Sequence, residues 1–264
     1  MDPNETQETL LTERISIPSV HDNKLLETRV SYLNHVGALK AVIISHPYGP
    51  LGGNFNNNVV VAIEEFFLGK DYLTLAFNFR GVGKSEGRTS WTGAPECDDY
   101  RTMVDFLANR GTVSGKQLLQ IPPVSEIIIV GYSYGSLIAT SLSSYTTSVP
   151  LSFVIISYPY SVIWFLTFFC TSQYLTCFGD LVSSDERILF VYGDSDQFTG
   201  VRKYRRLVED CHLSEKPNWT VRELDDIDHF WYGTGMEAAL IGVLDEWLNA
   251  CQKTKQTVNS IISS

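Results

Sequence analysis

Positive charge is scarce in this sequence. Its 264 residues include 20 lysines and arginines against 30 aspartates and glutamates, which gives a formal net charge of -10. Binding to DNA or RNA depends mainly on basic residues that neutralise backbone phosphates. We therefore expect no nucleic acid among the partners of this protein.

Cysteine is scarce as well, and no two cysteines are spaced as a C-x-x-C pair. The sequence has an odd number of them, widely spread, at Cys97, Cys170, Cys177, Cys211 and Cys251. This spacing predicts neither a disulfide framework nor a zinc site, and it fits a reducing compartment. The first residues, MDPNETQETLLTERIS, lack the basic and apolar regions of a secretory or mitochondrial signal. We therefore expect a cytoplasmic protein without a metal.

Long apolar runs are absent too. The most apolar segment, SVIWFLTFFC at 161–170, is followed by polar residues, and it is much shorter than the roughly 20 residues that a membrane-spanning helix needs. No transmembrane segment is therefore predicted. Three interpretations of the segment stay open: buried core, the wall of an acyl-binding site, or weak contact with a lipid surface.

Strand-like and helix-like patterns alternate along the chain. Apolar and polar residues alternate over 13–20 and 27–34, which predicts an antiparallel hairpin. Nearly continuous aliphatic and aromatic runs then predict strands buried on both faces. These runs lie at 41–46, 72–79, 126–132, 152–159 and 188–193, with a more polar one at 220–226.

Helical patterns separate the predicted strands. They cover Asn58 to Leu68, Asp98 to Asn109, Ser136 to Tyr145, Val201 to Cys211 and Met236 to Trp247. The alternation predicts an α/β fold, with a mostly parallel sheet of about eight strands and helices on both faces. We expect a single domain at 12–251 between flexible ends at 1–11 and 252–264. Asp98 and Asp99 are expected to cap the second of these helices.

A serine stands between two glycines where a predicted strand meets a predicted helix. The strand EIIIVGY ends in Gly131-Tyr132-Ser133-Tyr134-Gly135. Glycines two residues before and after a hydroxyl residue allow a very tight strand-to-helix turn that exposes the central side chain. Ser133 is therefore a candidate nucleophile.

A serine nucleophile needs a base and an acid, and both residue types follow later strands. An imidazole must take the proton of the hydroxyl, and a carboxylate must orient that imidazole. His229 follows the last predicted strand, whereas His21, His35 and His212 lie in polar or hairpin segments and His46 belongs to a proline-containing loop. Asp194 and Asp196 both follow the strand at 188–193, and either could serve as the acid.

Five segments together resemble the α/β-hydrolase superfamily. They are HPYGPLGGNFNN at 46–57, FNFRGVGKSEG at 77–87, GYSYGS at 131–136, GDSD at 193–196 and DHF at 228–230, and they follow the order of that family. The chain is most similar to small serine hydrolases with a minimal lid, an esterase-like and thioesterase-like group. The resemblance implies the α/β-hydrolase fold and a short lid at 161–178, and it implies that Asp196 is the acid.

Attack on a carbonyl also requires donors for the oxyanion. One should be the N–H of Tyr134, which begins the helix after Ser133. The resemblance implies the N–H of Tyr48 as the second, since Pro47 has none. It also implies that Arg80 and Ser85 shape the loop beside the site; the spacing of the glycines there matches no phosphate-binding motif.

The sequence thus predicts a serine hydrolase that cleaves a carboxylic ester or thioester through an acyl-enzyme, with a small ester or acyl compound as substrate and no cofactor. Three aromatic residues of the apolar segment, Trp164, Phe165 and Phe168, are candidates for substrate binding, and Phe169 beside them is a fourth. A peptidase or amidase with the same triad is an alternative. So is a non-catalytic binding protein of the same fold.

Overall fold

The computed structural model describes residues 9–34, 37–233 and 235–262, with the side chains of 169 and 251–262 left out. Its strands are β1 (Thr9–Pro18), β2 (Leu25–Asn34), β3 (Leu39–Ser45), β4 (Leu73–Phe77), β5 (Thr112–Val113), β6 (Lys116–Gln117), β7 (Val124–Tyr132), β8 (Leu151–Ile156), β9 (Arg187–Gly193) and β10 (Trp219–Leu224). Its α-helices are α1 (Asn58–Leu68), α2 (Ala94–Ala108), α3 (Tyr134–Ala139), α4 (Ile163–Leu166), α5 (Thr171–Ser183), α6 (Val201–Asp210) and α7 (Met236–Ile262). The predictions for residues 1–8, 263–264 and His35 lie outside the described residues.

Eight strands form one sheet in the order β1-β2-β4-β3-β7-β8-β9-β10, and β5 and β6 form a separate small hairpin. β2 is antiparallel to β1 and to β4, whereas the remaining neighbours in the sheet are parallel. This confirms the predicted architecture. The strand order reverses between β3 and β7, and in open parallel sheets such a reversal leaves a crevice at the carboxyl ends of the strands.

Both faces of the sheet are covered, as the apolar runs indicated. In β7, the side chains of Ile127 and Ile129 pack into one core cluster, and those of Ile128 and Val130 pack into the cluster on the opposite face. This alternation places successive residues of a strand on opposite sides of the sheet. A strand covered on both sides has no polar face, which explains why β7 is apolar along most of its length.

The second helix begins earlier than the sequence indicated, and its acidic pair does not cap it. α2 starts at Ala94 with a proline in its first turn, so Asp98 and Asp99 lie inside the helix. Asp99 is fully buried, and its carboxylate accepts two hydrogen bonds from the Arg80 guanidinium, at 2.8 and 2.6 Å. The capping prediction is therefore wrong. The buried carboxylate is compensated by its ion pair with Arg80. This pair anchors the loop after β4.

Two further boundaries differ from the prediction. α7 runs to Ile262, so the domain boundary expected at 251 falls inside this helix. The stretch 161–178 after β8, which begins with the apolar segment, forms short helices rather than one continuous element: a 3₁₀ turn, α4, a second 3₁₀ turn and then the first part of α5. Some of its side chains, such as Ile163 and Phe178, are buried, and others are exposed. Among the described residues, no helix is long and apolar enough to cross a membrane.

Candidate active site

Ser133 lies on a strained turn between β7 and α3. Its backbone has φ 53° and ψ -119°, a conformation that is rarely adopted by residues other than glycine. The turn raises the Ser133 side chain at the carboxyl edge of the sheet, beside the point where the strand order reverses. This is the tight strand-to-helix turn that the glycine spacing predicted.

The two glycines are needed because the chain is crowded there. A side chain at Gly131 would approach the Gly135 carbonyl oxygen to 2.5 Å and collide with the start of α3. A side chain at Gly135 would approach Ser45 Oγ to 2.6 Å and the carbonyl oxygen of His46 to 2.8 Å, at the end of β3. The helix therefore passes close to both neighbouring strands only because neither position carries a Cβ.

A hydrogen-bonded chain connects Ser133, His229 and Asp196. His229 Nε2 lies 2.8 Å from Ser133 Oγ, and His229 Nδ1 lies 2.7 Å from Asp196 Oδ2. An ionised carboxylate can only accept, so Nδ1 carries the hydrogen and Nε2 is left to accept from the serine hydroxyl. All three side chains are buried. The geometry suits removal of the Ser133 proton by His229.

Of the competing carboxylates, the structure brings only Asp196 to the imidazole. Asp194 Oδ1 instead accepts from the backbone N–H of Asp226 at 2.9 Å and from Ser195 Oγ at 3.0 Å. Asp228 Oδ1 accepts from the two backbone N–H groups that follow His229 in the chain. Asp196 Oδ1 accepts from the backbone N–H groups of Phe198 and Thr199, which follow it in the chain, while its Oδ2 meets His229.

The loop that carries His229 is tied to its neighbours on both sides. The Tyr132 hydroxyl donates to the His229 carbonyl oxygen at 2.7 Å, and the His229 N–H donates to Gln197 Oε1 at 3.1 Å. The Asn58 side chain, at the start of α1, reaches the carbonyl oxygen of Trp231 at 3.3 Å. The backbone around His229 is therefore held by contacts from β7, the acid loop and α1.

His46 holds the loop after β3, which the resemblance associates with the oxyanion. Its Nδ1 lies 2.6 Å from the Pro47 carbonyl oxygen, and its Nε2 lies 3.1 Å from the N–H of Phe79. The carbonyl can only accept and the amide can only donate, so His46 is neutral with its hydrogen on Nδ1. Burial lowers the pKa of His46 to about 4, although the bond to Pro47 acts in the opposite direction.

This contact fixes the direction of the Tyr48 N–H. The Pro47 carbonyl and the Tyr48 N–H belong to one trans peptide and therefore point in opposite directions. The Tyr48 carbonyl in turn accepts from Leu51 and Gly53 at 3.1 Å each. Within the described part of the chain, the N–H groups of Tyr48 and Tyr134 have no recorded protein acceptor, and Tyr134 opens a helix, where the first N–H groups lack intrahelical partners. Both remain able to donate to a bound group.

A largely apolar cleft of about 330 Å³ opens in front of Ser133. Its walls come from the loop after β3, from the segment around α4, and from the loops that carry Asp196 and His229. Its apolar lining side chains include Leu51, Val162, Phe165, Leu166, Phe198 and Phe230. No Asp, Glu, Lys or Arg is found among the described residues that line the cleft. Such a cleft suits a neutral, apolar group.

A family model described as the alpha/beta hydrolase fold matches residues 51–159. Solved structures of the same fold match over nearly the whole chain. A serine hydrolase homologue from Coxiella burnetii is 21% identical, with a TM-score of 0.66 over 88% of this chain and 95% of that one. An esterase from Pyrococcus furiosus is 19% identical, with a TM-score of 0.68 over 91% of this chain and 90% of that one.

This chain has the α/β-hydrolase fold. A curated relative, the uncharacterized protein RP471 of Rickettsia prowazekii, is 31% identical over 100 residues. The match spans 38% of this chain and 37% of that relative. The likeness to the solved structures is below 25% identity, so it establishes the fold and leaves the activity to be argued from the site.

Of the three aromatic residues expected to bind substrate, the α/β-hydrolase fold places one in the cleft. Phe165 lines it, whereas Trp164 lies against a separate surface depression with Leu175, and Phe168 packs on Trp91. Neighbouring residues on a helix point about 100° apart, and on α4 this turns Trp164 away from the cleft that Phe165 lines. The side chain of Phe169 lies outside the described residues. His21 and His212 contact surface carboxylates, away from Ser133.

Several residues of the site had no sequence signal of their own. Phe198 and Phe230 line the cleft two residues after Asp196 and one residue after His229, so proximity to the candidate triad could have suggested them. Tyr232 also lines the cleft, and its ring stacks on that of Phe230. The Tyr132 contact with the His229 loop joins residues 97 positions apart and could not be read from spacing.

The low pKa of His46 predicts an acid-sensitive fold. Unfolding returns the imidazole to an ordinary pKa near 6.5, so the unfolded chain binds the proton first as the pH falls from about 6.5 to about 4. The free energy of unfolding should therefore fall with pH in that window. Between about pH 7 and pH 4.5, the free energy of unfolding of the wild type should fall by about 2.5 kcal/mol more than that of His46→Asn. Urea unfolding at each pH measures this difference. His212→Asn, at an exposed histidine, should behave as the wild type; parallel curves for wild type and His46→Asn would contradict the prediction.

Proposed function

We propose that this protein is a serine hydrolase that cleaves a carboxylic ester or thioester through an acyl-enzyme intermediate. The observation that carries the proposal is the unbroken chain from Ser133 Oγ through His229 to Asp196, with Ser133 at an apolar cleft. In this proposal Ser133 is the nucleophile, His229 the general base and Asp196 the acid that orients it. Tyr48 and Tyr134 supply the oxyanion donors through their N–H groups.

In the acylation step, Ser133 Oγ attacks the substrate carbonyl while His229 Nε2 takes the hydroxyl proton. The new C–O bond converts the carbonyl oxygen to an oxyanion, which the two N–H groups stabilise; one such donor contributes about 3 kcal/mol to the transition state. Asp196 stabilises the imidazolium. When the intermediate collapses, the bond to the leaving group breaks, and His229 returns the proton to the departing alcohol or thiol.

Deacylation repeats these roles with water as the nucleophile. His229 takes a proton from water as the water oxygen attacks the acyl carbon, and it then protonates Ser133 Oγ as the acid product leaves. The strained backbone at Ser133 supports this cycle because it holds the hydroxyl in place before substrate arrives. The uncharged cleft favours a neutral acyl group over a charged one.

Ser133→Ala should abolish turnover without unfolding the protein. Removing a triad nucleophile lowers turnover by about 10⁴-fold or more, because only binding and oxyanion stabilisation remain. Hydrolysis of short p-nitrophenyl esters and labelling by a fluorophosphonate probe measure the effect. Ser136→Ala is a matched control, since its hydroxyl bonds the Ser133 carbonyl oxygen rather than His229, and this variant should still be labelled. A wild type that is neither labelled nor active would point to a non-catalytic binding protein.

The choice of acid predicts opposite effects at two neighbouring aspartates. Asp196→Asn keeps the shape but favours the wrong imidazole tautomer, so turnover should fall by about 10⁴-fold. Asp194→Asn should retain turnover within about threefold and lose about 1 kcal/mol of stability, because the bond from the Asp226 N–H would then go to a neutral amide oxygen instead of a carboxylate. Ester kinetics and urea unfolding of both purified variants distinguish these outcomes, and the reverse pattern would assign the acid to Asp194.

The position of Phe165 predicts a dependence on acyl chain length. Phe165→Ala removes apolar wall from the cleft, and each buried methylene contributes about 0.8 kcal/mol. We expect kcat/KM for an octanoyl ester to fall about 5-fold more than that for an acetyl ester. Trp164→Ala, the adjacent residue on α4 but outside the cleft, should show no such preference. Equal losses for both esters in Phe165→Ala would exclude this residue from the acyl site.

A further inference from the structure

The phenol of Tyr204 lies against the carboxylate of Asp196. Tyr204 is on α6 and fully buried, and its hydroxyl oxygen is 3.1 Å from Asp196 Oδ2. This is the same oxygen that His229 Nδ1 meets at 2.7 Å. Asp196 Oδ1 is held by two backbone N–H groups of its own loop, at 2.8 Å each. Among the described residues, Oδ2 is therefore held by the imidazole and by Tyr204.

Toward the Asp196 carboxylate and the Tyr158 carbonyl, which can only accept, the Tyr204 hydroxyl acts as a donor. Burial, and the nearby Asp196 carboxylate, raise the pKa of Tyr204 well above its usual value near 10, so the phenol keeps its hydrogen. A second acceptor, the Tyr158 carbonyl oxygen, lies 2.9 Å away, but it also accepts from Thr199 Oγ1 at 3.3 Å. An ionised carboxylate is a stronger acceptor than a neutral carbonyl. The hydrogen is therefore drawn toward Asp196.

The ring of Tyr204 is held in place by a second tyrosine. It stacks on Tyr192 of β9, with ring centroids 4.2 Å apart and planes within 15°. The Tyr192 hydroxyl lies 3.2 Å from Glu223 Oε2 and makes no recorded contact with Asp196. The two phenols are thus equivalent in packing and differ in their hydrogen-bond partners. Tyr192 provides a matched comparison.

We infer that Tyr204 is a positioning residue for the acid, because its O–H donates to Asp196 Oδ2 and holds the carboxylate in the plane in which it meets His229 Nδ1. The inference rests on the proposed function. Donation from Tyr204 also draws negative charge away from the oxygen that faces the imidazole. Without this donor, Asp196 would stabilise a protonated imidazole more strongly and would be held less firmly.

Other ionisable groups surround this pair and are unchanged by a substitution at Tyr204. They come from β7, from the loop around His229, from β10, from α6 itself and from β9: Tyr132, Asp228, Tyr232, Glu223, Arg205 and Tyr192. Both Tyr204→Phe and Tyr192→Phe keep the stacked rings. A difference between the two variants therefore reports the contact with Asp196.

The test measures kcat and KM for a short p-nitrophenyl ester across pH, where the acid limb of kcat/KM reports protonation of the base. In Tyr204→Phe, the midpoint of that limb should move to higher pH by about 0.5 unit. Its kcat should fall about tenfold through looser positioning, while KM changes less than about twofold, because Tyr204 does not line the cleft. Tyr192→Phe should match the wild type in the midpoint of the acid limb, in kcat and in KM.

A second variant tests the sign of the effect. Replacing Tyr204 alone with 3-fluorotyrosine keeps the hydroxyl and makes it a stronger donor, so the acid limb should move to lower pH. The far-downfield proton NMR signal of the His229 Nδ1–H gives a readout that needs no turnover, and it should shift in both Tyr204 variants but not in Tyr192→Phe. If Tyr204→Phe folds too poorly for kinetics, the NMR signal and the pH profile of the 3-fluorotyrosine variant still test the inference.

The inference and the proposed function fail in different ways. If the wild type shows no turnover that depends on Ser133, the proposed function is overturned, whatever Tyr204 does. If the wild type is active and the pH profile and NMR signal of Tyr204→Phe superimpose on those of the wild type, the positioning role is overturned while the hydrolase proposal stands. In that case the Tyr204 hydroxyl donates its hydrogen bond to the Tyr158 carbonyl oxygen alone.

Discussion

The close approach of β3, β7 and α3 is the constraint on which the candidate site depends. Gly135 leaves only enough room for the backbone at the end of β3, and Gly131 leaves only enough for the start of α3. Because these segments touch, the loop that begins at His46 and the turn that carries Ser133 emerge at one point, where the strand order reverses. A side chain at Gly135 would collide with Ser45 and His46 and would push this loop away from the turn, whereas one at Gly131 would distort the turn itself.

Burial then dictates how the polar groups of the site are arranged. Asp196 and His229 are each 4% exposed, and a charge or a polar atom in such surroundings must be hydrogen-bonded. The acid accepts from its own loop as well as from His229, and the His229 loop is bonded to Tyr132 and to Gln197. These contacts satisfy the buried groups and also restrict their motion. A network of this kind presents the imidazole to Ser133 in one tautomer.

Much of the fold and the candidate triad could be predicted from sequence because both depend on local patterns. Apolar runs identified the strands of the main sheet, and α1 begins and ends at the predicted residues. The glycines around Ser133 were informative because the turn that they flank is too crowded for a side chain at either position. The position of Asp99 was not predictable, since its partner Arg80 lies in a different loop and an acidic residue near a helix start usually caps it. The direction of Trp164 and Phe165 depended on the bounds of the short helix α4, which an almost uniformly apolar segment does not reveal.

The distribution of charge sets the kind of substrate that the proposed hydrolase would meet. The chain carries a formal net charge of -10, yet none of the described residues that line the cleft is an aspartate, glutamate, lysine or arginine. An acidic protein repels polyanions at long range, which slows their approach at low ionic strength. A neutral ester meets no such barrier, and its acyl group would enter a cleft whose walls include Phe, Leu and Val side chains. The same physical argument disfavours a thioester carried on a polyphosphorylated group. In the proposed hydrolase, charge would therefore disfavour a polyanionic leaving group, whereas the apolar walls would favour an apolar acyl chain.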